Sequence, residues 1–207
     1  WSGGPSRDGM LVLEDCVFEY CPKRAVRCYY YVSLTATNCV FRHNSGGGIL
    51  VPDENIAFVE LENCVFHGNS ANGGAAAVIG VGASVSGCTF TDNTSFQGGA
   101  VSALTAVIIP SFDVVDCVFA GNTALDGPPN SEGGAMRIGS VESATVFGCK
   151  FTGNTSYESG GALALLGSSG HYFVEDCLFE GNSSPDGSAI RCEQATATIG
   201  YVTMVDG

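Results

Sequence analysis

Seven times along the chain a cysteine is followed two positions later by a phenylalanine. The phrases are DCVFEYC, NCVFRHN, NCVFHGN, GCTFTDN, DCVFAGN, GCKFTGN and DCLFEGN. This recurrence is what most limits the possible folds. Aligned on Cys16, Cys39, Cys64, Cys88, Cys117, Cys149 and Cys177, the units are separated by 23, 25, 24, 29, 32 and 28 residues. Helical repeats keep a fixed length, so an irregular period points to coils with constant strands and variable loops.

Each unit contains three short segments. In the first, the residues five and three positions before the cysteine are apolar, as in Leu11/Leu13, Val59/Leu61 and Phe112/Val114. That period of two is the signature of a strand with one buried face. The residue just before the cysteine is Asp15, Asn38, Asn63, Gly87, Asp116, Gly148 or Asp176. These three residue types tolerate a left-handed backbone, so a corner is expected there.

The second segment is Cys-x-Phe. Its cysteines, with Phe18, Phe41, Phe66, Phe90, Phe119, Phe151 and Phe179, share one face and are expected to form a core ladder. Three positions past each Phe stands Asn44, Asn69, Asn93, Asn122, Asn154 or Asn182, with Cys21 in their place in the first unit. Asparagines repeated at one turn can hydrogen-bond to each other along a column. The residue between Cys and Phe faces outward, and Val17, Val40, Val65, Val118 and Leu178 form a candidate contact stripe there.

The third segment opens on Gly-Gly-Ala or a close variant, at 46–48, 73–75, 98–100, 133–135, 160–162 and 187–189. Inward positions are expected at Val26/Cys28, Ile49/Val51, Ala76/Val78, Val101/Ala103, Met136/Ile138, Leu163/Leu165 and Ile190/Cys192. Three strands per turn with Asn, Asp and Gly corners make a three-sided all-β solenoid. Parallel coils stack about 4.8 Å apart, so seven of them form a column of about 34 Å. The longest loop, TALDGPPNSE at 123–132, lies between the Asn and the Gly-Gly-Ala. Val202 and Met204 stand where an eighth Cys and Phe would be.

The phrases N-C-V-F-x-G-N and G-G-A-[VML] resemble right-handed parallel β-helix repeat proteins. The resemblance is closest to the extracellular kind related to the chlamydial polymorphic outer-membrane proteins, with their Phe-x-x-Asn and Gly-Gly-Ala-[Ile/Leu/Val] tetrapeptides. It spans about 11–207 and departs from the secreted bacterial pattern in its cysteine richness. It implies a right-handed parallel β-helix of about seven coils plus the start of an eighth. It also implies an extracellular or cell-surface setting. The division expected is a lead-in at 1–10 and one solenoid domain at 11–207. The chain opens at Trp1 and stops inside a repeat, which reads as a piece of a longer array.

Several function classes are disfavoured. The net charge of −13 opposes nucleic-acid binding, which needs clustered Lys and Arg. The most apolar run, 101–112, is shorter than the ~20 residues of a membrane-spanning helix. A column of single cysteines cannot converge on a tetrahedral zinc, so no metal or cofactor is expected. Stacked cysteines keep their Cβ atoms too far apart for ready disulfide formation, and the ladder is expected to hold free thiols. Cys21, at a corner seven residues from Cys28, is the candidate for a disulfide with that residue or for a reactive thiol.

No catalytic constellation is expected either. Arg27, Arg137 and Arg191 fall on coils one, five and seven, too scattered for a pocket. Glu60 and Glu62, Asp53 and Glu54, and the neighbouring His43 and His67 read as surface residues. The sequons at Asn93, Asn154 and Asn182 coincide with the Asn ladder and follow from it. The leading expectation is therefore a non-catalytic stalk, fibre or adhesive passenger. Its partners would be itself or other surface proteins, by lateral or end-to-end packing, and glycans. A polysaccharide lyase or epimerase, and a self-assembling filament subunit, are the alternatives.

Overall fold

The corners carry the architecture. In a computed structural model, residues 9–29, 32–52, 58–71, 77–79, 82–103, 109–127, 131–167 and 170–205 are described. The residue before each ladder cysteine has a left-handed φ between 51° and 64°, in all seven coils. A second left-handed residue precedes each ladder Asn, or Cys21 in the first coil: Tyr20, His43, Gly68, Asp92, Gly121, Gly153 and Gly181. Tyr and His sit in this conformation at a steric cost that Gly avoids. Each corner turns the chain onto a new face, and the strands between corners stack on those of the next coil.

Three parallel sheets result. The pre-cysteine sheet stacks eight strands, from Gly9–Glu14 through Val32–Thr37, Phe58–Glu62, Gly82–Ser86, Ile109–Val115, Val141–Phe147 and His171–Glu175 to Thr196–Gly200. The Cys-x-Phe sheet stacks eight three-residue strands, from Val17–Glu19 to Thr203–Val205. The Gly-Gly-Ala sheet stacks seven, from Val26–Arg27 to Ile190–Glu193. The fold is thus an all-β, right-handed parallel β-helix with no helix among the described residues. Met204 pairs with Phe179, which places the eighth coil in register.

Two features depart from the expected pattern. A fourth, two-residue sheet follows the Asn column at Ser70–Ala71, Thr94–Ser95, Thr123–Ala124 and Thr155–Ser156. Its inward residues are small (Ala71, Ser95, Ala124, Ser156) and buried, so the turn after Asn is part of the wall and not loop. The second departure is a register error in coil three. Ala77 pairs with Ile49 and Val101, and Ile79 with Val51. The buried pair is therefore Ala77/Ile79, one position later than the expected Ala76/Val78. In a run reading Ala-Ala-Ala-Val-Ile, apolar alternation does not distinguish the two frames. Ala76, the Gly-Gly-Ala at 73–75, Asp53, Glu54, residues 1–8 of the lead-in and residues 128–130 of the long loop lie outside the described residues.

The core is organised as columns. Rings of Phe18, Phe41, Phe66, Phe90, Phe119, Phe151 and Phe179 stack nearly parallel, with centroids 4.7–5.0 Å apart. That spacing is the strand separation itself and falls in the favourable range for offset rings. A neighbouring column on the pre-cysteine sheet solves the packing differently. Ala83, Phe112, Ala144, Tyr172 and Ala197 are in register, so small and large side chains alternate. The hydroxyl of Tyr172 donates to the Leu166 carbonyl at 2.5 Å.

The Asn column is continuous from Asn44 to Asn182. From Asn44 to Asn154, each Nδ2 donates to the Oδ1 of the next coil's Asn at 2.9–3.0 Å. It also donates to the carbonyl of the preceding coil's Phe. The same Oδ1 accepts the main-chain N–H of the Asn before it. In the first coil, the Cys21 N–H donates to Asn44 Oδ1 at 2.9 Å, so the substitution costs the backbone nothing there.

Asn122→Ala removes the acceptor for both Asn93 N and Asn93 Nδ2 inside the wall. We expect a loss of about 3 kcal/mol in urea unfolding, two buried donors being left unpaired. Val118→Thr, on the outer face of the same coil, should change stability by less than about 0.5 kcal/mol.

Candidate functional site

The Gly-Gly-Ala sheet brings its charged residues together on its outer face. The outward column runs Arg137, Ala164, Arg191 on consecutive coils. One position before each Gly-Gly, a second column bridges Gln97, Glu132, Ser159 and Asp186. Glu132 belongs to this second column, and only 2% of its surface is exposed.

Both arginines converge on it. Arg137 donates through Nε to Glu132 Oε2 at 2.9 Å, and Arg191 through Nη1 to Glu132 Oε1 at 3.3 Å. Arg191 also donates to Ser159 Oγ and pairs with Glu193 Oε2 at 2.5 Å and Asp186 Oδ2 at 3.8 Å. The expectation that Arg27, Arg137 and Arg191 are too scattered for a pocket therefore fails for Arg137 and Arg191. A residue as small as Ala164 between them leaves room for Arg191 to span the intervening coil. Glu132 escaped the sequence reading because it sits at the end of the variable loop. The signal that would have found it was an acid directly before a Gly-Gly-Ala whose outward residue is Arg.

Glycine makes this geometry possible. At Gly99, Gly134 and Gly161, an added Cβ would lie 2.0–2.1 Å from the carbonyl oxygen of the following coil. Only a residue without a side chain lets these coils approach so closely.

Arg27, the third outward arginine, stands apart, at the opposite end of the same sheet. Its guanidinium lies 4.3 Å over the Tyr29 ring. With Lys23 and Arg24 it lines a cavity of about 610 Å³ that also touches Pro22, Ser45 and Leu50. Burial, followed by the charge of Arg27, pushes the Arg24 guanidinium down to about 10. Arg24 donates to the Ile49 carbonyl at 2.9 Å.

His43 and His67, one position out of register, meet edge to face with centroids 5.1 Å apart. Tyr20 stacks on His43, and His67 Nδ1 lies 2.9 Å from Thr91 Oγ1. Glu60 and Glu62 point outward into solvent. Among the described residues, no three His, Cys, Asp or Glu side chains are grouped to hold a metal ion.

All ten cysteines are free thiols. The suggested Cys21–Cys28 bridge is absent. Cys21 is tied into the corner through its N–H, while Cys28 is buried on the inner face of the next side, beyond Pro22–Ala25. In the main column each Sγ turns back to the carbonyl two residues earlier, at 3.1–3.4 Å. From Cys64 onward it also approaches a pre-cysteine carbonyl of the coil before, at 3.3–3.6 Å. These thiols are small core residues that also help to satisfy the backbone at the corner. Burial pushes the Cys28, Cys39 and Cys192 thiols up. Hydrogen bonding with neighbouring cysteines, then burial, does the same for Cys88 and Cys149.

The outer stripe is continuous only across three coils. Val17, Val40 and Val65 pair in sequence, Thr89 follows, then Val118, Lys150 and Leu178. Val17 is 57% exposed and Val118 38%. Of the sequon asparagines, Asn93 and Asn154 are fully buried and both bonded through Nδ2. A glycan on either nitrogen would break the ladder.

Comparison with known proteins agrees with this geometry. A family model described as a right handed beta helix region matches residues 7–95. Over 163 residues the chain is 29% identical to a metabotropic glutamate receptor-like protein R of Dictyostelium discoideum. The match covers 76% of this chain but only 10% of that protein's length. No solved structure matches significantly.

Glu132→Gln would leave two arginines facing an uncharged amide. We expect a stability loss of about 3–5 kcal/mol, the usual effect of breaking a buried ion pair, read by thermal or urea unfolding. Thiol alkylation followed by mass spectrometry should find ten free thiols after denaturation. In the native protein, labelling should concentrate at exposed Cys192 and half-buried Cys16 and Cys21. Because burial raises the Cys192 thiol, its labelling should rise only above the usual thiol range of about 8.5. Recovery of disulfide-linked peptides from the column would contradict this picture.

Proposed function

We propose that this chain is a non-catalytic structural or adhesive segment of a β-solenoid displayed outside the cell, either secreted or at the cell surface. The observation that carries this reading is where the chain invests its polar side chains. Six successive asparagines spend their amides on each other and on the backbone, coil to coil. A rod cross-linked in this way along its axis resists bending and local opening, which suits a stalk, a fibre or a passenger domain. The best-built charged cluster, Glu132 and Glu193 with Arg137 and Arg191, is internally neutralised, so its arginines lack the freedom of a catalytic base.

Two further points favour the surface setting. The motifs resemble those of chlamydial polymorphic outer-membrane proteins, and part of the chain is similar to a protein described as receptor-like. Partners in this reading are other surface proteins, further copies of the chain packed laterally or end to end, and glycans.

The test has two arms. Protease treatment of intact cells of the source organism should remove the segment, and its survival until lysis would overturn the surface assignment. Purified protein incubated with uronate polymers should yield neither unsaturated ends nor epimerised residues. Turnover in that assay would replace the structural reading with the lyase or epimerase alternative.

A further inference from the structure

Glu132, Arg137 and Arg191 leave one donor over. Arg137 is 7% exposed and uses Nε for Glu132, while its buried Nη1 has no hydrogen-bond partner. A buried guanidinium N–H without an acceptor is unfavourable, and such groups in native proteins call for an explanation. The same arginine lines a cavity of about 190 Å³ that opens on the outer face of the sheet. The other walls are Glu132, Leu166, Gly167, Glu193 and Gln194.

The wall chemistry selects the occupant. One guanidinium and two carboxylates line it, and Arg191 pairs with both carboxylates, so the wall has no net positive charge to draw an anion. A cation offers nothing to an unpaired N–H donor. An apolar ligand would find hydrocarbon only at Leu166 and would leave the polar wall unpaired. What remains is a neutral molecule that hydrogen-bonds over its whole surface. Its oxygens would accept from Arg137, and its hydroxyls would donate to Glu193, with the Gln194 amide able to do either. The volume equals that of about six liquid waters, which is room for one saturated, hydroxylated ring.

We propose that this cavity is a binding site for a neutral polyol of one-ring size, a monosaccharide unit or a cyclitol. The site binds and does not transform its ligand. The ring is either free or the end of a longer glycan, and both present the same hydroxyls. This inference stands whether or not the solenoid is displayed outside the cell.

The experiment is an amide-detected NMR titration of the intact chain with glucose, galactose, N-acetylglucosamine and myo-inositol. A ligand this small and neutral should bind with a Kd of about 1–10 mM. Shift changes should centre on residues 132–139, 166–167 and 193–194. Gln194→Ala, at an exposed corner, should weaken binding roughly tenfold, the effect of one well-placed hydrogen bond to a polar group. Arg137→Lys keeps the charge beside Glu132 but loses the guanidinium fork, and should abolish binding. Unchanged shifts elsewhere in the spectrum would show that both variants are folded.

An oligosaccharide ending in the best monosaccharide then separates the sources. Equal or tighter binding assigns the site to a glycan end, and binding of the monomer alone assigns it to a free polyol. If no probe perturbs these residues, if the variants leave the shifts unaltered, or if a long-lived water stays beside Arg137 throughout, the cavity is a hydration site and the proposal fails.

Discussion

Every other interaction in this protein depends on the fixed axial distance between stacked parallel strands. At about 4.8 Å, each coil places its equivalent residue directly over the last. A side chain that can bond to a copy of itself at that distance therefore stabilises the whole column. The primary amide of Asn does this without remainder. Its two donors and its oxygen are all taken, between the neighbouring Asn, the Phe carbonyl below and the adjacent main-chain N–H. Phenylalanine does the same through its ring faces. Cysteine is small enough to fit beneath the corner and bends its thiol onto nearby carbonyls.

Charged side chains cannot stack on themselves, and this explains why the outer face looks different. Like charges 4.8 Å apart repel, so the outward column of the Gly-Gly-Ala sheet is mixed: Leu50, Ser102, Arg137, Ala164, Arg191. Where two arginines flank an alanine, a single acid from the adjacent column pairs with both. The result is a closed ionic cluster over three coils, with one cavity and one surplus donor beside it. Irregularity in an otherwise repetitive wall is where a ligand can be recognised, because identical rungs offer no distinguishing point.

Much of this was legible in the sequence. The period of two on either side of Asp116-Cys117 marked the strands. Residues tolerant of φ > 0 marked the first corner, and the spacing of Phe119 to Asn122 marked the next. Each is a local rule repeated seven times, so a single ambiguous unit did little harm. The exceptions are informative. In coil three the run of alanines carried no alternation, and the frame slipped by one residue. The Thr-Ser and Ser-Ala pairs after Asn looked like loop because two residues are too short to show a period. The cluster at Glu132 was only half legible, because Glu132 and Arg137 are five residues apart while Arg191 comes from two coils further on, past loops of different length.

Sequence alone therefore determined the coil: which residues face inward, where the chain turns, and which side chains repeat along the axis. Those properties follow from neighbours within a few positions and from the identity of the rungs. Only the tertiary structure decided what the outer wall does, since it depends on which loop end meets which coil. Ala164 opens the gap that Arg191 crosses, and Glu132 enters that gap from a loop whose length no period predicts. The burial that removes water from Arg137 and leaves its Nη1 unpaired exists only once those coils are stacked.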